Sequence, residues 1–212
     1  MVASDKQVKV KVCGMTSLKD VLVAVEEGAD AVGFIFYKKS PRSVIMKIAR
    51  EIVLELPPFV DTVGVFVDES AVQINKTADY CNLDIIQLHG DESPTFCKRI
   101  QRKVIKAFRI KDMQSVKKIS SFQVSGFLLD TFSENLHGGT GKVFDWNLVL
   151  PAKKFGPVIM AGGLTPNNVQ QAVRQVRPYG VDVCSGVESE PGIKDHKKVR
   201  AFLKNAKAGR KI

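Results

Sequence analysis

Val10-Lys-Val-Cys-Gly-Met-Thr16 carries a thiol to the end of a strand and turns at once toward a helix. Val8 to Val12 alternates apolar residues with Lys9 and Lys11, so on a strand Lys9, Lys11 and Cys13 share one face. Gly14 permits a tight turn, and Ser17-Leu-Lys-Asp20 is a capping box for a helix with Leu18, Val21, Leu22 and Val25 on one face. Taken by itself, Cys13 is a small buried hydrophobe. The rest of the chain gives it another place.

Outward from this unit the same cycle repeats. Ala31 to Phe36 is an apolar run without alternation, as in a strand covered on both faces, and a helix from about Ser43 carries Ile45, Ile48, Ile52 and Leu56 up to Pro57-Pro58. Thr62 to Val67 is a third strand, Asp68 or Ser70 caps a helix to Cys81, and Ile85 to Leu88 leads to His89-Gly90. Ser93-Pro94 opens the next helix, and Val104 to Phe108 is a fifth run. Asp112 caps a helix through Met113, Val116 and Ile119, and Gly126 to Leu129 ends on Asp130. A long loop, Thr131 to Lys142, precedes a short helix at Phe144-Asp-Trp-Asn147, expected to stop at Pro151. Val158 to Met160 leads into Ala161-Gly-Gly-Leu164, and Thr165-Pro166 starts a helix with Val169, Ala172, Val173 and Val176. Val181 to Val183 is the last run, followed by Ser185-Gly-Val-Glu188 and a helix with Val199, Phe202, Leu203 and Ala206.

Eight such runs, each followed by a helix signal, describe a (β/α)8 TIM barrel, with residues 1–212 forming a single catalytic domain. A doubly wound open sheet is the competing α/β fold, but it wants Gly-x-Gly-x-x-Gly where this chain has Cys13-Gly-Met-Thr16.

An apolar share of 44% and a charged share of 25% suit a soluble globular protein. No apolar run reaches membrane-span length, and Met1 to Gln7 lacks the core of a signal peptide, so a cytoplasmic protein without membrane contact is expected. The four cysteines form no C-x-x-C pair and the three histidines have no metal-ligand spacing; neither a disulfide framework nor a metal is expected. Cys81 and Cys97 fall in helices and read as core. Lys and Arg outnumber Asp and Glu by 32 to 22, a formal charge of +10 that favours an anionic partner. The basic residues are spread along the chain, which points to a small anionic substrate rather than nucleic acid.

In such a barrel the strand C-termini face the active site. The polar residues there are Cys13, Arg42, Gln87, His89, Asp130 and Asp182. Gly162-Gly163 and Ser185-Gly186 make turns after the last two strands, whose N–H groups, with a helix N-terminus, suit a phosphate. Gly138-Gly-Thr-Gly141-Lys142 is no Walker motif. Asp182 also reads as a counter-charge for Lys11, because strands one and eight are neighbours in a closed barrel.

Over nearly its full length the chain resembles the phosphoribosylanthranilate isomerases of tryptophan biosynthesis. The resemblance is carried by Lys11-Val-Cys-Gly-Met-Thr16, Gly33-Phe-Ile-Phe36 with Ser40-Pro-Arg-Ser43, Val63-Gly-Val-Phe66, Ile86-Gln-Leu-His-Gly90 and Leu129-Asp130. Further on it is carried by Gly139-Thr-Gly141 with Phe144-Asp-Trp146, Ala161-Gly-Gly-Leu164, and Val181 to Glu188. It implies that Cys13 is the general base, Asp130 the general acid, Arg42 the partner of the anthranilate carboxylate and Asp182 a contact near the bridging amine. It also implies that Gly141, Gly162, Gly163, Ser185 and Gly186 hold the phosphate. The family pattern leads one to expect a small polar residue where this chain has Cys184.

The reaction implied is the Amadori rearrangement of N-(5-phosphoribosyl)anthranilate to 1-(2-carboxyphenylamino)-1-deoxyribulose 5-phosphate. The iminium formed on ring opening is its own electron sink, so no cofactor is expected. Cys13 serves as thiolate, which Lys11 favours if close, and Asp130 must hold a proton, which apolar surroundings favour. The rival readings are another phosphosugar isomerase on the same barrel, including the type serving both histidine and tryptophan synthesis, and an idle basic barrel that binds nucleic acid. A monomer or a homodimer is expected. Strand alternation aims Cys184 at the same mouth as Cys13, near enough for a disulfide if the register allows.

Overall fold

The structure, a computed structural model, describes residues 7–130 and 146–209. Strands β1 (Lys9–Cys13), β2 (Ala31–Ile35), β3 (Asp61–Phe66), β4 (Ile85–Leu88), β5 (Lys103–Arg109), β6 (Gly126–Asp130), β7 (Val158–Ala161) and β8 (Gly180–Val183) pair in chain order. All are parallel, and β8 returns to β1, with Lys11 opposite Asp182 and Val12 opposite Val183. This is the closed eight-stranded barrel that the repeating pattern requires. Outside it lie α1 (Leu18–Glu26), α2 (Met46–Leu54), α3 (Ala71–Cys81), α4 (Pro94–Cys97), α5 (Met113–Lys117), α6 (Val169–Val176) and α7 (His196–Ala208). No helix among the described residues is long and apolar enough to cross a membrane.

Two apolar layers result from strand alternation. The larger fills the space between sheet and helices, where Val10, Val12, Phe34, Ile86, Phe127, Met160 and Val181 meet Val21, Ile74, Val173 and Phe202. The smaller lies inside the barrel, where Ile105, Ala107, Leu128 and Ala161 pack with Ile85 and Ile159. Cys81 and Cys97 are buried, and burial raises both thiols, Cys81 to about 11.

Ser17, Ser70, Ser93 and Asp112 cap their helices through side-chain oxygens. Of the two candidates before α3 it is Ser70 that caps; the Asp68 carboxylate instead accepts from the Asp91 N–H at 2.7 Å. Elsewhere the helical registers differ from expectation. The buried face of α1 is Asp20, Val21 and Ala24, leaving Leu18 exposed, because Asp20 accepts from the Lys194 N–H and from His196 Nε2. Helix α2 starts three residues later than expected, and Ile45, its extended N-cap, is exposed. Helix α6 starts at Val169, after a turn in which the Asn168 side chain accepts from the Thr165 N–H. Pro151 does not stop its helix: a 3-10 helix runs Trp146–Lys154 through it, since the ring's fixed φ suits a helical turn and costs one donor. An antiparallel hairpin, β9 (Glu188–Glu190) and β10 (Ile193–Lys194), follows β8 and was not expected at all.

Candidate active site

At the C-terminal end of the barrel a cavity of about 260 Å³ is lined by Cys13, Arg42, Gln87, His89, Asp130 and Asp182, and by the turns at Gly162-Gly163 and Ser185-Gly186. The strand-end residues singled out in the sequence therefore meet around one space. Gly141 and the rest of the long loop lie outside the described residues.

Cys13 ends β1 above Lys11, whose ammonium is buried and donates 2.8 Å to Asp182 Oδ1. The two side chains need room beside β2, and Gly33 provides it. A Cβ there would stand 2.8 Å from Cys13 Sγ and 3.1 Å from Lys11 Nζ. Burial acts against the Lys11 charge, yet Asp182 and the adjacent thiol raise its proton affinity above the ordinary lysine value. The Cys13 thiol is pulled down to about 6, chiefly by a hydrogen bond from the Cys184 thiol, with burial opposing and Lys11 assisting. Cys184 is pushed the other way by the neighbouring Cys13 thiol and by burial, so it stays a thiol, and its Sγ lies 3.9 Å from Glu188 Oε1. Lys11 was the activating group visible in the sequence. Cys184 is a second one, and it stands one residue past Val183, the register partner of Val12.

Asp130 ends β6 on the apolar half of the interior. Leu128 lies one inward position below it, its register partners are Ala161 on β7 and Arg109 on β5, and Ala107 is the partner of Leu128 on β5. His89 Nε2 stands 3.7 Å from Asp130 Oδ2, and His89 Nδ1 meets Gln87 Nε2 at 3.0 Å. The Gln87 carbonyl oxygen is buried with no hydrogen-bond partner among the described residues.

Arg42 reaches the cavity edge with its fork already held: Nε lies 2.9 and 3.0 Å from the two Glu188 oxygens, and Nη2 donates 2.7 Å to Oε2. Glu188 also accepts from Lys194 Nζ at 2.9 Å and from the Gly192 N–H at 3.2 Å. Burial opposes its charge, but these donors hold it below the usual carboxylate range. Sequence reasoning missed both Glu188 and Lys194 as parts of the site. The only trace was the place of Glu188 within the shared segment ending at that residue.

The two glycine turns have different reasons for glycine. Gly162 and Gly163 take φ of +84° and +64°, in the left-handed region. Gly186 is required by contact, since a Cβ there would come 1.9 Å from the Leu164 carbonyl oxygen, so the turns after β7 and β8 lie backbone against backbone. Ser185–Val187 forms a single 3-10 turn at this point. The N-terminus of α7 is not part of the cradle, because the Asp195 carboxylate accepts from the Lys197 and Lys198 N–H groups. What the arrangement offers is a thiolate-prone cysteine and a carboxyl facing one cavity, with anion-suited groups at its edge.

Known proteins are similar to this chain in sequence and fold over most of its length. The family model described as N-(5'-phosphoribosyl)anthranilate (PRA) isomerase matches residues 10–205. A curated N-(5'-phosphoribosyl)anthranilate isomerase from Geotalea uraniireducens is 57% identical over 199 residues, covering 94% of this chain and 98% of the relative. The crystal structure of phosphoribosyl anthranilate isomerase from Thermotoga maritima superposes with a TM-score of 0.87 at 46% identity, over 94% of this chain and 98% of that one. A second crystal structure of such an isomerase, in complex with reduced 1-(o-carboxyphenylamino)-1-deoxyribulose 5-phosphate, gives 0.85 at 44% identity over the same shares. By family model, identity and fold together, the chain belongs to the N-(5'-phosphoribosyl)anthranilate isomerase family.

Proposed function

We propose that this barrel mouth carries out the isomerisation of N-(5'-phosphoribosyl)anthranilate in tryptophan biosynthesis, with Cys13 as general base and Asp130 as general acid. Asp130 gives its proton to the furanose ring oxygen as the C1–O bond breaks, leaving an iminium between C1 and the anthranilate nitrogen. The Cys13 thiolate then takes the proton from C2. The electron pair moves into the iminium, the resulting enol relaxes to the ketone, and solvent returns the two enzyme groups to their starting states. Asp182, which lines the same cavity as Cys13 and pairs with Lys11, is our candidate for the contact near the bridging amine.

The observation that carries this reading is that Cys13 and Asp130 face one cavity from different surroundings. The Cys13 thiol is lowered to about 6 beside Cys184 and Lys11, whereas Asp130 ends β6 one inward position above Leu128 and opposite Ala161. Arg42 is the partner of the anthranilate carboxylate, and the turns at Gly162, Gly163, Ser185 and Gly186, together with Gly141, hold the phosphate at the other end. The ligand is thus a small phosphosugar anion, and the site of action is the cytoplasm. Sedimentation distinguishes a monomer from a homodimer.

A fluorescence assay following the loss of phosphoribosylanthranilate generated in situ tests the reading. Turnover is expected in the wild type, and inorganic phosphate is expected to compete both there and in Arg42→Ala. Absence of turnover overturns the assignment; loss of phosphate competition in Arg42→Ala would mean that the two anionic ends are reversed.

A further inference from the structure

An arginine that reads a carboxylate has to hold its fork still and keep its charge, and a neighbouring glutamate serves the first need at the expense of the second. Arg42 sits on the loop after β2, where Ser40 Oγ accepts from its N–H at 3.2 Å. Glu188 takes the Nε edge of its guanidinium, and among the described residues the Nη1 group is left over, on a residue that lines the cavity. The Glu188 side chain is only 5% exposed and that of Lys194 is fully enclosed.

The hairpin β9–β10 is the strut for this arrangement. Gly192 lies at its turn with φ +85°, its carbonyl accepting from Thr16 Oγ1 at 2.6 Å and its N–H donating to Glu188. Lys194 Nζ ties Glu188 to the Cys184 carbonyl at 3.3 Å, so the loops after β1 and β2 and the chain after β8 are joined around Arg42. Two cations, Arg42 and Lys194, share one anion, Glu188, so the cluster carries a surplus of one positive charge. Arg42 is its exposed member, with 22% of its side chain open against 5% for Glu188, and the surplus faces the cavity. Stability alone does not call for such a cluster, because apolar residues of similar size fill a buried site as well or better.

We propose that Glu188 and Lys194 are positioning residues for recognition of the substrate carboxylate: Glu188 sets the orientation of the Arg42 fork, and Lys194 supplies the charge that Glu188 would otherwise cancel. The proposal rests on the reading of Arg42 as the carboxylate partner. It also gives the hairpin, absent from the sequence pattern, a purpose in the site.

The test measures binding of two probes by titration calorimetry: the reduced product, which carries the aryl carboxylate, and the same molecule without that carboxylate. The wild type is expected to prefer the carboxylated probe by about 10- to 150-fold, the scale of a charge-assisted hydrogen bond. Lys194→Met is expected to shrink that preference to below about fivefold and Glu188→Gln, in which the loosened fork and the freed charge oppose each other, to shrink it by less, both leaving affinity for the decarboxylated probe within about twofold. An unchanged preference in either variant, or an equal loss for both probes, overturns the proposal. Lys194→Met leaves the Arg42–Glu188 pair intact, so it decides the matter if Glu188→Gln does not fold. If the wild type binds both probes equally, the Arg42 reading itself fails; if it binds neither, the isomerase reading does.

Discussion

The two halves of the barrel interior differ as sharply as the inside and outside of most proteins. Around β8, β1 and β2 the inward positions hold Lys11, Asp182, Cys13 and Cys184, with Gly33 clearing space for them. Around β5, β6 and β7 they hold Ile105, Ala107, Leu128, Ile159 and Ala161. The base candidate stands on the charged half and the acid candidate on the apolar half. One fold thereby gives the two candidates different surroundings at one cavity, without importing a group from outside the barrel.

The strongest way to break this comparison is to remove each tip. Cys13→Ala and Asp130→Asn are each expected to lower kcat by about two to four orders of magnitude, the usual range for acid–base contributions, in steady-state assays. Near-normal turnover in one of them would leave that half of the interior without a catalytic task. Next come the two floors. Lys11→Met leaves Asp182 buried without its partner and is expected to cost about 3–5 kcal/mol in chemical denaturation, whereas Leu128→Ala costs about 2–5 kcal/mol through a cavity. Their pH profiles separate them. With the Cys13 thiol at about 6, the wild-type kcat/KM is expected to fall as pH drops below that value, because protonation removes the base. Lys11→Met should move this acid limb upward, and Leu128→Ala should leave it in place; a shared shift would mean that the floors are not distinct.

A finer test lies within the charged half. Cys184→Ala removes the thiol donor and is expected to raise the acid limb, while Cys184→Ser, which keeps a hydroxyl donor, raises it less. The smallest expected effect is a slow inactivation by mild hydrogen peroxide. The Cys13 thiolate attacks the peroxide to give a sulfenic acid and hydroxide, and the Cys184 thiol condenses with it, releasing water and forming a disulfide between adjacent strands. Dithiothreitol should restore activity, and peptide mass mapping should find the link. A Cys184→Ser variant that lost and regained activity at the wild-type rate would remove Cys184 from this chemistry.

Much of the molecule was legible before any coordinates. Strand positions followed from apolar runs bounded by turn residues, and caps at Ser17, Ser93 and Asp112 from local side-chain chemistry. The helix faces were less legible. Leu18 and Ile45 look like core residues by spacing, yet both are exposed, because Asp20 is drawn inward by donors from the far end of the chain and Ile45 precedes the helix it was read into. The hairpin after β8 is short, with no long alternating run to announce it.

By itself the amino-acid sequence determined the eightfold repeat, the strand-end placement of Cys13, Arg42, Asp130 and Asp182, and the glycine turns, because each depends on residues within a few positions of one another. Only the tertiary structure decided who meets whom across the barrel. Lys11 and Asp182 lie 171 positions apart and Arg42 and Glu188 lie 146 apart, and their contacts follow from barrel closure and strand register. The same holds for Cys184. Alternation aimed it at the mouth, but only the register of β8 on β1 set its thiol against Cys13, because a shift of one residue would have turned it to the helix side.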